Sequence, residues 1–346
     1  MVTNLADPPA VVEPARSRNS RLATRSALTA LLPVVVALAA LAVHRFIPAG
    51  QPPPLNWLEA LPAWQHPYPV LLAAIGLASL LVAAARFTSR SLRSYVDNFA
   101  PLIAGATAVL LVWEFVTVKM DWFHQPFFPG PDEVLGGMIE DRVLLLKSTW
   151  HSLQLVLSGY VIGVLGGLAS GVLVGWFPGA RYWAMPAIKF FGPIPATALI
   201  PLVMTLWQDS FPCAVALVAY AVWFPMTILT SSGIANVRLS YIDVARTLGA
   251  KPMFLIFRVA IPAALPTIFV GMFVGLGASF LTLIVAETVG VKAGLGWYLG
   301  MQRGYMEYAK VYGSLIICAV FFSTMMTILF KVRDRAVRWQ KGVIKW

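Results

Sequence analysis

NVRLSYIDVARTLGAKPMFLIFRVAIPAALP, residues 236–266, is a polar and basic interruption between two long apolar runs, and its reading decides the fold. It reads as two short helices joined by a turn. Ser240 is placed to cap the first helix, and Asp243 three residues on completes a capping box. Tyr241, Val244, Ala245 and Leu248 follow at helical spacing as one apolar face, leaving Asp243, Arg246 and Thr247 on the other. Gly249 stands where a helix end takes a left-handed residue. Pro252 opens the next helix, beside Lys251, and Pro262 ends or kinks it. Such a segment, hung between membrane spans, buries its apolar face against its own protein and offers its charged face to a partner. The alternative is an interfacial loop lying on lipid headgroups.

Working outward, the flanking runs define the class. The chain has 346 residues, 59% hydrophobic and 12% charged, with a mean hydropathy of +0.76. A soluble domain cannot hide that much apolar surface. Runs of roughly 18 to 20 apolar residues, enough to cross a bilayer, recur along the sequence. Alternating strand patterns are absent, which argues against a barrel. The expectation is an all-α polytopic membrane protein of about eight spans, at about 28–47, 68–85, 99–118, 153–176, the region through 202, 213–231, 265–286 and 311–330.

The net charge of +11 would suggest nucleic acid in a soluble protein. Here position explains it better, and no nucleic acid is expected. Arg16, Arg18, Arg21 and Arg25 precede the first span, and Arg86, Arg90 and Arg93 lie in the second link. Arg238, Arg246, Lys251 and Arg258 lie in the organising stretch, and Lys331, Arg333, Arg335, Arg338, Lys341 and Lys345 follow the last span. This positive-inside bias places both termini in the cytoplasm. The reading divides the chain into a disordered basic arm (1–27), an accessory two-helix module (28–95), a six-helix core (96–335) with its cytoplasmic loop at 236–262, and a basic tail (336–346). No apolar core precedes Leu28, so no cleaved signal peptide is expected.

Within the spans, Gly163, Gly167, Gly171 and Gly175 recur every four residues and form a face that another helix can approach closely, in a bundle or at a subunit interface. Gly271, Gly275 and Gly277 read as a second such face. Pro193, Pro195 and Pro201, with Gly192, break the fifth span, and Thr197 lies within the broken stretch. Lipid cannot satisfy the backbone groups freed there, so the segment lines a pathway or forms a kinked structural helix. Glu114 lies roughly 22 Å along its helix from Phe99, near the outer interface. Glu287 is a candidate to contact or gate a solute, or marks the end of its span. Cys213 and Cys318 read as small core residues without metal-ligand spacing. His44, His66, His124 and His151 are scattered, and no catalytic arrangement or metal site is read.

Several of these segments carry a family resemblance. DVARTLGAKPMFLIFRVAIPAALPTI resembles the EAA-type coupling loop of permease subunits of bacterial ABC importers. Asp243 stands for the acid, Val244 and Ala245 for the alanines, Gly249 for the glycine, and Ile261-Pro262 for the terminal pair. Asp for Glu and Val for Ala are departures. The proline-rich entry at 127–134, the Pro-x-x-Ala-Leu-Ile-Pro-Leu run from Pro195 to Leu202 and the stretch 282–288 are similar to the nitrate, sulfonate and taurine type of that family. The resemblance covers residues from about Phe99 to the C-terminus. It implies a type I importer core in the bacterial inner membrane, two permease copies, cytoplasmic ABC ATPase subunits, and a periplasmic or lipid-anchored solute-binding protein. Tyr241, Asp243, Val244, Ala245, Arg246, Leu248, Gly249, Lys251 and Pro252 would then meet the ATPase. No Gly-x-x-x-x-Gly-Lys-Ser/Thr loop occurs in the chain, so ATP and Mg would sit on the partner and no cofactor on this chain. The competing class is an ion-coupled secondary transporter, which would need ionisable residues at mid-membrane.

Overall fold

The computed structural model describes residues 15–50, 66–85, 90–123, 126–206 and 209–339. These residues form helices and no strands. Among the described residues, seven helices are long and apolar enough to cross a membrane, or eight if a bent pair counts as one span, in line with the expected number. The chain divides into two compact units, 1–139 and 140–346. The third span therefore groups with the two accessory helices rather than with the helices that follow it.

The first unit contains α1 (Ala15–Phe46), α2 (Pro67–Ala85), α3 (Arg90–Glu114, continued by a π turn at Phe115–Lys119) and α4 (Pro131–Glu140). Small residues let α1, α2 and α3 meet: Ala30, Ala83 and Val96 form one buried cluster, and Ala40, Tyr68 and Leu72 another. The Trp113 indole N–H donates to the Pro129 carbonyl at 3.1 Å, seating the proline-rich entry to α4. One expectation is corrected here. The backbone is helical from Ala15, so the arm expected to be disordered over 1–27 is helical in its second half. Its alanines, arginines and leucine are strong helix formers that extend the span's helix. Residues 1–14, and His124, lie outside the described residues.

The second unit contains α5 (Arg142–Trp176), α6 (Pro178–Phe191), α7 (Ile200–Leu206), α8 (Ser210–Ala235), α9 (Leu239–Thr247), α10 (Ile261–Val289), α11 (Leu295–Gly304) and α12 (Tyr308–Ala336). Its centre is the sandwich of α8 between α5 and α10. The glycines of α5 lie against α8 of the same chain, so the alternative of a subunit interface falls for this face. A methyl group added at Gly163, Gly167 or Gly171 would come within 2.6 Å of Val222, Met226 or Thr230. Gly271 and Gly275 let α10 approach Met226 and Val222 from the other side, whereas Gly277 faces open space and is not part of that contact. The Tyr160 hydroxyl donates to the Met272 carbonyl at 3.0 Å, tying α5 to α10. Cys213 and Cys318 are buried free thiols, as expected of core residues.

Pro262 does not end its helix, contrary to one reading of the sequence. A π turn at Leu255–Ala260 precedes it, and α10 runs on to Val289. The Ile261 N–H reaches back to Ile256, five residues away. A wider turn accommodates a ring that would otherwise strike the preceding carbonyl.

Candidate functional site

Three places in the second unit carry the sequence-predicted residues. The first is the hairpin of α9. Leu248 ends the helix, the Gly249 N–H donates to the Arg246 carbonyl at 2.9 Å, and the Ala250 N–H donates to the Ala245 carbonyl at 3.0 Å. This pair of bonds is a Schellman closure, and it requires the φ of +82° found at Gly249. Pro252 then stands at the first position of the next helical turn, after Lys251.

Two details differ from the sequence reading. The helix starts at Leu239 with Arg238 as its N-cap and no side-chain cap, so Ser240 is already inside the first turn and the Ser240–Asp243 capping box does not form. More consequentially, the apolar face is turned out. Tyr241, Val244 and Leu248 are 52%, 61% and 82% exposed, and Ile242 is the residue that buries, at 9%. Apolar spacing defined the stripe, but little protein lies on that side of α9 to receive it. Asp243 and Arg246 are also exposed and lie 3.9 Å apart across one turn, a pairing worth about 0.3 to 0.5 kcal/mol.

The second place is the break between α6 and α7. The chain bends by 80° between Pro178–Phe191 and Ala196–Leu206, passing through a short 3-10 turn. Pro193, Pro195 and Thr197 line a cavity of about 360 Å³ together with Tyr220, Phe224 and Thr282. No charged side chain is among its lining residues. The Tyr220 hydroxyl donates to the Phe191 carbonyl, satisfying one of the groups the bend frees. Pro201 lies beyond the bend in α7 and does not line this cavity.

The third place is Glu287, which the structure separates from that cavity. Its carboxylate is fully buried, with the Ser152 hydroxyl 2.7 and 2.9 Å from its two oxygens and the Gly296 N–H donating at 2.8 Å. The Leu295 N–H donates to the Ser152 oxygen at 2.8 Å. The loop can wrap the carboxylate because Gly294 adopts a φ of +106°, and a Cβ there would fall 2.2 Å from Glu287 Oε1. The group thus staples α5, α10 and α11 together. A second polar knot lies beside it: the Tyr298 hydroxyl donates to Asp141 Oδ2 at 2.8 Å, Gln302 at 3.2 Å, and Lys310 pairs with the same oxygen at 3.6 Å. Burial first, and then the Asp141 carboxylate, push the Tyr298 hydroxyl well above the ordinary phenol value. Ser152 and Asp141 had no signal in the sequence, since their partners lie more than a hundred residues away.

An apolar-faced hairpin, a bent span and a glycine-sealed helix sandwich are built into a multi-pass helical membrane protein. The chain belongs to the family of binding-protein-dependent transport system inner membrane components, whose model matches residues 160–340, and is an ABC transporter permease. It is 33% identical over 216 residues to a "Probable ABC transporter permease protein" of Brucella abortus, covering 62% of this chain and 86% of that one. It is 29% identical to the bicarbonate transport system permease protein CmpB of Synechocystis (71% and 89% covered). It is 24% identical to the taurine transport system permease protein TauC of Escherichia coli (70% and 90%). Among solved structures, a chain of the inward-facing MetNI methionine ABC transporter is 20% identical and covers 57% of this chain and 97% of its own, with a TM-score of 0.49.

Proposed function

We propose that this chain is the permease subunit of an ATP-driven importer, working as one of two copies with a pair of cytoplasmic ABC ATPases and an external solute-binding protein. The observation that carries this is the stripe of Tyr241, Val244 and Leu248, exposed on a short helix whose end is locked by Gly249. The ATPase is the surface that covers it. Fully burying such side chains contributes about 1.5 to 3 kcal/mol each, enough to hold a coupling contact without a covalent link. ATP and Mg act on the ATPase alone; this chain receives the closure of the two ATPases as a displacement of α9. The π turn and α10 carry that displacement into the spans, which open the pathway alternately to either side. Both termini, α9 and the basic links lie on the cytoplasmic side in this reading.

The solute is a small oxyacid species, an anion such as bicarbonate or an alkanesulfonate or the zwitterionic sulfonate taurine, the kinds of solute that the relatives' names give. The cavity at the bend suits passage rather than retention. A fixed lysine about 4 Å away would hold an anion by about 4 kcal/mol in a medium of intermediate dielectric, whereas hydroxyls and backbone groups hold it loosely. Glu287 supports the ATP-driven reading over an ion-coupled one, because its carboxylate is fully engaged by donors of its own chain. The test is reconstitution in liposomes with the cognate ATPase. Leu248→Asp and Val244→Asp should abolish ATPase association and uptake while the permease still inserts. Unchanged uptake in both variants, or uptake without any ATPase, would overturn the reading.

A further inference from the structure

Two of the chain's four histidines, scattered in sequence, meet carboxylates at one end of the first unit, outside the part matched by the family model. His44, in the last turn of α1, places Nδ1 2.7 Å from Glu114 Oε1 in α3. His66, just before α2, places Nδ1 2.6 Å from Asp132 Oδ2 in the first turn of α4. A carboxylate acceptor calls for a proton on Nδ1 of each ring. Lys119 is spent on the backbone: its ammonium donates to the His44 and Ile47 carbonyls at 3.1 and 2.6 Å, and lies 3.8 Å from Glu114 Oε1. Glu114 itself is 2% exposed; its second oxygen has no partner in hydrogen-bond geometry among the described residues, and the Tyr68 hydroxyl, which donates to the Leu110 carbonyl at 3.2 Å, is the donor that stands beside the carboxylate.

These side chains line a cavity of about 290 Å³, with His44, Arg45, His66, Tyr68, Glu114 and Lys119 in its wall. The wall holds a buried carboxylate oxygen without a partner in hydrogen-bond geometry, a costly state that an N–H group entering the cavity would relieve. The space is several times the ~30 Å³ share of a single water molecule. Arg45 is exposed at the rim and offers a cation to the far end of whatever enters. We infer that this cavity is a binding site for a small zwitterion, with its primary ammonium on Glu114 and its acid group on Arg45. The inference stands on the first unit alone and does not depend on the transport reading.

The test is calorimetric titration of the full chain in lipid nanodiscs, without ATPase or ATP, at neutral pH. The probes are β-alanine, propionate, which lacks the ammonium, and ethylammonium, which lacks the acid. β-Alanine should bind at least about tenfold more tightly than propionate, and Glu114→Gln should weaken it by about tenfold or more, as for loss of a charge-assisted hydrogen bond. Arg45→Ala, an exposed change that leaves folding intact, should weaken β-alanine several-fold and leave ethylammonium unchanged. Equal binding of propionate and β-alanine, or no heat from any probe because the cavity holds water only, would overturn the proposal. Neither result would bear on ATPase docking by α9, which is read by association and uptake.

Discussion

The α9 hairpin and the Glu287 staple both place a side chain where its polarity does not belong, and they do so in opposite senses. On α9, three large apolar groups face outward with half or more of their surface uncovered by the described residues. In the staple, a carboxylate is sunk within a membrane helix, yet every donor it needs comes from its own chain. The first is incomplete without a partner, and the second is complete within the monomer. Substitutions at the two places should therefore separate stability from function.

The largest effect is expected at the staple. Glu287→Ala leaves the Ser152 hydroxyl and the Gly296 N–H buried without an acceptor, and should lower stability by about 3 kcal/mol, read as a drop in thermal midpoint in detergent. Next is the helix sandwich: Gly167→Leu forces a side chain into Met226, and overpacking of this kind costs about 1 to 3 kcal/mol. An unchanged midpoint for either would mean that the core is looser than its contacts indicate. At the turn, Gly249→Val meets open space but an unfavourable φ, a penalty of roughly 1 to 2 kcal/mol. Its main consequence should be ATP hydrolysis uncoupled from uptake; normal coupling would remove the hairpin from the mechanism. Smallest of all, Leu248→Ser should change stability by less than about 0.5 kcal/mol while weakening co-purification with the ATPase. If instead it destabilised the isolated chain, the stripe would be packing and not a docking face.

What could be read from the sequence follows the range of the interactions. Gly249 was legible because a helix end followed by a turn admits few residues at positive φ. The four-residue glycine spacing in α5 announced that some helix comes close, although it could not say that the helix is α8. The stripe on α9 was legible as a stripe, but its direction was not, since spacing does not tell which side meets protein. Pro262 read as a stop or a kink because a regular helix cannot absorb it, whereas the backbone widens one turn ahead of it. Ser152 with Glu287 and His44 with Glu114 lie 135 and 70 residues apart. Nothing local in either partner points to the other.

The widened turn at Leu255–Ala260 also fixes an angle. Each residue of an α-helix advances the chain by about 100° around its axis, so one residue absorbed in a π turn changes the azimuth at which the hairpin leaves α10 by more than a quarter of a rotation. Deleting a single residue between 255 and 260 would restore a regular helix and swing Tyr241, Val244 and Leu248 toward a different quadrant, with every side chain still present. The docking face is thus aimed by the phase of a helix as well as by its composition.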